Sequence, residues 1–306
     1  MAEGLNLGRG PSALAVDVGG TGLKAALFAS SGELVDAVTM PTPECDSGSG
    51  TEIVELVSDI RDEFAAEHGD HEIDAAAVVI PGIVDEDSGA GIYSANLGWR
   101  DVPFRSLLAE RLGLEIALAH DVRSAGLAEF EFAEAMPDDA MMVTIGTGVA
   151  AAIRAEGRLI SAGGYAGEIG FTEVAVDTAD GLFRGPVEHI ASAAAIAKRY
   201  AARSGTAVAG SLDVLDAVHA DDPVAREVFA EAVDALGAVC AQLVAVTAPE
   251  TIVFGGGLSG ADELIRGVDT AMRRRLDFHR VPSIRRAALG PVAGLIGAGL
   301  LTRGRG

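Results

Sequence analysis

Two kinds of residue in this sequence are placed to do chemistry: carboxylates at the ends of apolar runs, and glycines grouped in the turns behind such runs. Asp17 sits in Ala13-Leu-Ala-Val-Asp-Val-Gly-Gly-Thr-Gly-Leu-Lys-Ala-Ala-Leu-Phe28, where an apolar run turns on Gly19, Gly20 and Gly22 and resumes. Glycine lets a turn bring backbone N–H groups close to another group, which is how loops cradle phosphate. Two more glycine turns follow apolar runs, Gly146-Thr-Gly148 and Gly255-Gly-Gly257. Ligand sites in α/β folds lie at the carboxyl ends of strands, so the three turns are candidates for one polyphosphate ligand. No Gly-Lys pair occurs, which excludes a Walker-type loop. A nucleotide would be held by backbone N–H groups and by hydroxyls, with Thr21, Thr144 and Thr147 available.

The first turn also fits Gly-x-Gly-x-x-Ala over Gly20 to Ala25, a dinucleotide-binding pattern. That reading needs a long helix after the glycines, and Ser30-Ser-Gly-Glu33 signals a second turn too early for one. The stretch reads as a β-hairpin whose tip faces a ligand.

Asp121 follows the apolar run 114–119 and precedes a helical stretch, 122–135. It reads either as an N-cap aspartate or as a carboxylate kept ionised by the helix N-terminus and able to take a hydroxyl proton. Asp17 reads either as a turn residue or as an acid that holds magnesium through water. Glu168, within Gly163-Gly-Tyr-Ala-Gly-Glu-Ile-Gly170, Glu188 at a helix start, and Asn96, within Ser94-Ala-Asn-Leu-Gly-Trp99, each read singly as surface or turn residues. Of the histidines, His120 adjoins Asp121, His68 and His71 read as loop residues, and His189 beside Glu188 makes no metal pair by itself.

The elements that must carry these residues alternate. Helical spacing covers 51–68, 104–112, 122–135, 187–203, 212–219, 224–245, 262–276 and 292–301. Strands are expected at 13–18, 75–80, 114–119, 140–145, 251–254 and 283–288, which indicates an α/β protein. The strand and glycine turn at 140–148, with its own second turn at Glu156-Gly157, repeats the opening pattern and suggests two similarly built halves.

The 306 residues carry a formal charge of −22, from 45 acidic and 23 basic side chains, and are 49% hydrophobic. This suits a globular protein of two domains or one large one, and disfavours nucleic acid, whose phosphates are bound by clustered Lys and Arg. Residues 1–12 lack a basic start and an apolar run, so no secretory signal and a cytoplasmic location are expected. Apolar stretches such as 292–301 are short and glycine-broken, so no membrane span is expected. Cys45 and Cys240 give neither metal spacing nor a disulfide framework.

Taken in order, these motifs resemble the ROK family of sugar kinases and sugar-responsive repressors, over about residues 12 to 303. Asp17-Val-Gly-Gly-Thr21 looks like its first phosphate motif, Thr144-Ile-Gly-Thr-Gly148 its second, and Pro249-Glu-Thr-Ile-Val-Phe-Gly-Gly-Gly257 its adenosine segment. Pro81-Gly82, Asn96-Leu-Gly-Trp99, His120-Asp121, Gly167-Glu-Ile-Gly170 and Gly185-Pro-Val-Glu188 fall at its sugar-site positions. The resemblance implies an actin-like ATPase (ribonuclease H-like) fold with an interdomain cleft. Its domains would be 1–121 plus 291–306, for sugar and phosphate, and 122–290, for nucleotide.

It also implies a kinase that takes ATP and Mg2+ and phosphorylates the 6-hydroxyl of glucose or a relative, working as a dimer. Asp121 would be the general base. Gly82, Asn96, His120, Glu168 and Glu188 would face the sugar. Asp17, Gly19, Gly20, Thr21, Lys24, Thr144, Gly146, Thr147, Gly148, Gly255, Gly256 and Gly257 would face ATP, with Asp17 on the magnesium side. Three departures stand out. His120 replaces the usual Asn, Phe171 ends a motif that usually ends in a zinc-binding His, and 177–185 has no Cys, so no zinc is expected. The altered motifs leave an amino or N-acetyl hexose as an alternative substrate. They also leave a catalytically lapsed sugar-binding protein and a non-enzymatic sugar-responsive regulator as alternatives. Regulators of the family carry an N-terminal DNA-binding extension, and only about a dozen residues precede the first strand here.

Overall fold

This computed structural model describes residues 6–45 and 48–304. Positions 1–5 (part of the segment read for a signal), 46–47 (inside the loop 41–50) and 305–306 lie outside the described residues. The chain divides into two compact units.

The first unit opens with β1 (Ala13–Val18), β2 (Gly22–Phe28) and β3 (Leu34–Pro41), followed by α1 (Thr51–Glu67) and β4 (Ala75–Ile80). Short strands β5 (Ile83–Asp85), β6 (Ala90–Tyr93) and β7 (Arg100–Val102) come next, then α2 (Phe104–Leu112), β8 (Glu115–His120) and α3 (Asp121–Phe132). Its main sheet has the order β3-β2-β1-β4-β8. β1 is antiparallel to β2 and parallel to β4, and β4 is parallel to β8.

The second unit opens with β9 (Ala140–Ile145), β10 (Val149–Ala155) and β11 (Arg158–Leu159), then the hairpin β12 (Glu173–Thr178) and β13 (Gly181–Pro186). Helices α4 (Glu188–Ala191), α5 (Ala193–Ser204), α6 (Ser211–His219) and α7 (Pro223–Thr247) precede β14 (Thr251–Gly255), α8 (Asp262–Arg273) and β15 (Ser283–Arg286). Its sheet order is β11-β10-β9-β14-β15. β9 is antiparallel to β10 and parallel to β14, and β14 is parallel to β15. The two sheets therefore share one order, and their four strands β2-β1-β4-β8 and β10-β9-β14-β15 share one pattern of directions, as the repeated motif led us to expect.

The last helix, α9 (Ala293–Leu301), returns to the first unit. Side chains alternate across a strand. On β1, Leu14, Val16 and Val18 join a core with Ile53, Val57, Ile60 and Phe64 of α1, plus Trp99 and Phe104. The other face, Ala13, Ala15 and Asp17, is covered by α9. Small residues on both sides let helix and sheet approach closely.

The units divide after Ala133, not at 121/122. The cause is packing: α3 lies against α9, and a methyl at Gly297 would overlap the Ser124 carbonyl. Leu159–Ala166 also belongs to the first unit. The helix expected over 187–203 is two helices, because Ser192 is extended and its side chain caps α5 by accepting from the Ala195 N–H. The strands β5–β7 and β12–β13 were not anticipated. His68 lies just beyond the end of α1, outside the helix as the loop reading expects, and places Nε2 2.8 Å from Asp36. One helix among the described residues, α7, is long and apolar enough by length and composition to cross a membrane, which reading 292–301 alone overlooked. Its Phe229, Leu236, Val239 and Cys240 fill the core of the second unit. Burial pushes the Cys240 thiol up to about 12.

Candidate active site

In the first unit, the β1–β2 turn closes through a Gly19 N–H donated to the Gly22 carbonyl. Thr42 pins it from outside, its hydroxyl donating to the Gly19 carbonyl at 2.7 Å. Gly20 and Thr21 are left exposed at the tip, so the stretch is the expected hairpin. The Asp17 carboxylate is buried beneath α9, and a Cβ at Gly294 would stand 2.8–3.0 Å from its three carboxylate atoms. Burial raises its pKa, and Lys24, with Nζ 3.7 Å away, draws it back down. Lys24 is thus the neighbour of the acid on the adjacent strand. A magnesium ion beside a carboxylate already in contact with an ammonium would keep its waters, which fits water-mediated holding.

Asn96 comes close to the same turn, its Nδ2 3.9 Å from where a Gly20 Cβ would be. Its loop closes on itself, the Ser94 N–H donating to the Trp99 carbonyl, and is anchored by Trp99, which meets Phe104 edge-on at 4.9 Å. Gly82 has φ 101°, and a side chain there would strike the Tyr93 carbonyl. Its contribution is to let the Pro81-Gly82 turn lie against the strand that leads to Asn96.

At the junction of β8 and α3, the cap of α3 is His120, not Asp121. His120 is extended, and its Nδ1 accepts the Arg123 N–H at 3.4 Å. Asp121 is the first helical residue, with Oδ1 accepting from the Val122 N–H at 2.7 Å and lying 3.2 Å from Nε2 of His120. Burial, with help from the Arg123 charge, pushes the His120 imidazole down to about 3, so it is neutral.

Arg123 is the residue that sequence reasoning missed here. It is 2% exposed. Its Nε donates to Glu86 Oε1 at 2.8 Å, one Nη to the Val84 carbonyl at 2.9 Å, and the other to the Gly164 and Ala166 carbonyls at 3.4 Å. Glu86 Oε1 also accepts the His120 N–H at 3.1 Å. The start of α3, the β5 segment and the 159–166 segment are thereby tied at one guanidinium, which suits Arg's fixed fork of donors. The available signal was an arginine amid the small and apolar residues of 122–128.

In the second unit, the glycine turns at 146–148 and 255–257 are adjacent. β14 pairs with β9 so that Gly255 stands opposite Thr144, and Gly256, at φ 87°, leaves room for the Ile145 carbonyl that a side chain would strike. Thr147, Gly256 and Gly257 are exposed, and the buried Thr144 Oγ1 has no hydrogen-bond partner among the described residues. Exposed glycine backbone with an unpartnered hydroxyl beside it fits a phosphate cradle.

Glu188, at the start of α4, accepts the Val149 N–H on Oε2 at 3.0 Å. A Cβ at Gly148 or Gly170 would come within 2.5 Å or 2.8 Å of that oxygen, so both glycines make room for this carboxylate. Glu168 caps a short 3-10 turn, Ile169–Phe171, after Gly167, whose backbone is bound to β10 through the Ala151 N–H. Phe171, at the end of that turn, is 66% exposed.

The segment 177–185 is the β12–β13 hairpin. Its turn is fastened to α7: the Ala179 N–H donates to Glu231 Oε1 at 2.8 Å, and Arg203 bridges Glu231 and Asp180. Arg199 adds a second ion pair to Glu231. Burial opposes ionisation of Glu231, but Arg203, the Ala179 N–H and Arg199 outweigh it and hold the pKa below the usual range.

Residues 13–305 match the ROK family. This chain belongs to the ROK family. A glucokinase from Halalkalibacterium halodurans is 31% identical, over 94% of this chain and 94% of its own. An N-acetylgalactosamine kinase from Shewanella sp. strain ANA-3 is 28% identical, over 94% and 96%. The crystal structure of a ROK family glucokinase from Streptomyces griseus, in complex with glucose and AMPPNP, superposes with a TM-score of 0.77 at 26% identity. It covers 96% of this chain and 99% of that one. As a ROK protein, the chain has the actin-like ATPase fold.

Proposed function

We propose that this sugar kinase transfers the γ-phosphate of ATP to the 6-hydroxyl of glucose or a close relative, with Asp121 as general base. The observation that carries the reading is the Asp121 carboxylate at the first turn of α3, directly beyond the end of β8. There the helix N-terminus favours the ionised form that a base needs. The acid takes the proton of the sugar hydroxyl as that oxygen attacks the γ-phosphorus, and ADP departs. Asn96, Glu168 and Glu188 hydrogen-bond sugar hydroxyls, and Gly82 shapes the turn beside them. The backbones of 19–22, 146–148 and 255–257, with Thr21, Thr144 and Thr147, hold the nucleotide. A bound magnesium ion would supply charge neutralisation at the phosphates, and Asp17 would hold it through its waters. Most of the acceleration in such a reaction comes from positioning and electrostatics.

Asp121→Asn keeps the shape and removes the base, so turnover should fall by roughly 10²-fold or more, with thermal stability near that of the parent. A coupled ADP-release assay measures it, and undiminished turnover in Asp121→Asn would overturn the assignment.

A second reading, a kinase for an N-acetyl or amino hexose, is favoured by Phe171. An exposed aromatic ring three residues beyond Glu168 suits an apolar substituent better than another hydroxyl. The Shewanella relative supports the same reading. ADP release across glucose, mannose, galactose and their N-acetylamino counterparts decides between the two.

A further inference from the structure

We propose that His120 is a positioning residue for Asp121: its Nε2–H donates to Asp121 Oδ1 while its Nδ1 is held by the start of α3. The proposal rests on reading Asp121 as the general base. The tautomer follows from the geometry. Nδ1 accepts the Arg123 N–H, so that nitrogen carries no proton, and the single proton of a neutral imidazole must then lie on Nε2. Nε2 stands 3.2 Å from Oδ1 of the next residue.

The ring itself is fixed from both ends. Its backbone N–H is bound to Glu86, and Glu86 is bound to the buried Arg123, the residue whose own N–H the ring caps. A side chain only 5% exposed in such a closed loop of contacts has one orientation to offer.

Two consequences follow for the acid. Oδ1 accepts the Val122 N–H at 2.7 Å and lies 3.2 Å from His120 Nε2, so an imidazole donating there would give the carboxylate a second brace. Donors to a carboxylate also favour its charged form, the form that can accept a proton. The imidazole is thereby committed to the helix and the acid, and does not serve as a sugar ligand. A misplacement of about 1 Å in a reacting group costs on the order of 10²-fold in rate, so such bracing is worth having.

Two variants separate the two ring nitrogens. His120→Asn supplies a side-chain oxygen near Nδ1 and nothing near Nε2. His120→Gln supplies an amide N–H near Nε2 and no cap. With glucose and N-acetylglucosamine as probes and ADP release as readout, His120→Asn should lose roughly ten- to a hundredfold in kcat. KM for sugar and ATP should stay within about twofold, and the acid limb of the kcat–pH profile should move to higher pH. His120→Gln should recover part of that kcat despite lower thermal stability. Nitrogen-15 NMR of the imidazole, which needs no substrate, should show the neutral Nε2–H tautomer from about pH 5 to 8. The proposal is overturned by wild-type kcat in His120→Asn, by a loss confined to sugar KM, or by an Nδ1–H tautomer. Asp121→Asn, run beside them, keeps the two ideas apart. If it retains turnover the base reading fails; if it is inactive while His120→Asn is fully active, only the positioning fails.

Discussion

Replacing Gly294 by Ala tests whether the last helix sets the acid at residue 17. The added methyl would lie 2.8 Å from Oδ2, 2.9 Å from Cγ and 3.0 Å from Oδ1 of Asp17. The carboxylate cannot ignore it, since Lys24 contacts Oδ2 and the surroundings are buried. Overpacking of this kind costs about 1–3 kcal/mol, and Ala regains about 1 kcal/mol over Gly within a helix. The net loss should be about 1 kcal/mol, a Tm lower by roughly 2–4 °C. The effect on activity should be far larger. On the magnesium-side role proposed for Asp17, an acid displaced by a sizeable fraction of an ångström would hold the phosphate side poorly, so kcat/KM for magnesium-ATP should fall on the order of 10²-fold. Gly299→Ala is the control. Its methyl meets Leu7 and Phe28, both apolar side chains, so it should lower Tm similarly or more and leave turnover per folded molecule intact. Differential scanning fluorimetry and ADP release at varied ATP measure both. Equal losses of activity in the two variants, or wild-type ATP kinetics in Gly294→Ala, would refute the reasoning.

Stability should respond to pH through His120. Its folded pKa lies near 3, below the unfolded value of 6.5, so between these values the unfolded chain binds a proton that the folded chain does not. Stability from this group is therefore level above about pH 6.5 and lost as pH falls, by about 1.4 kcal/mol per unit, or about 2 kcal/mol from pH 6.5 to 5. Urea titrations of the parent and His120→Asn should show their difference shifting by that amount over the interval, and a pH-independent difference would contradict the burial of a neutral imidazole. Glu231→Ala removes the carboxylate partner of Arg199, leaves Arg203 with Asp180 alone and strands the Ala179 N–H, so it should cost about 2–4 kcal/mol, visible as an earlier urea midpoint. A change below about 0.5 kcal/mol would mean that the hairpin is fastened by something else.

The three glycine turns, and the hairpins that carry two of them, were legible because glycine spacing and apolar runs are local signals. Twofold repetition of β-hairpin and glycine turn foretold the shared strand order. What was not legible depends on distance through space. Strands β5 to β7 have three or four residues each, too few for alternation to register. Ser192 breaks a helix whose composition would let it continue. Arg123 looks like any helix surface residue until β5 and the 159–166 segment close over it. The identity of the α3 cap could not be read either, since Asp is a common N-cap and His is not, yet the fold turns His120 inward.

Asp17 belongs to β1 and Gly294 to α9, so the two meet only once α9 has been made. While a ribosome works at about 5–20 residues per second, the Ala13, Ala15 and Asp17 face of β1 waits tens of seconds for α9. The exposed surface in that interval is alanine-rich, and the bulky side chains of the sheet already have α1 and α2 to pack on. A growing chain can thus assemble its larger core early, while the acid by the first glycine turn acquires its buried setting last. The phosphate role proposed for the first unit is in this sense deferred until α9 has been made.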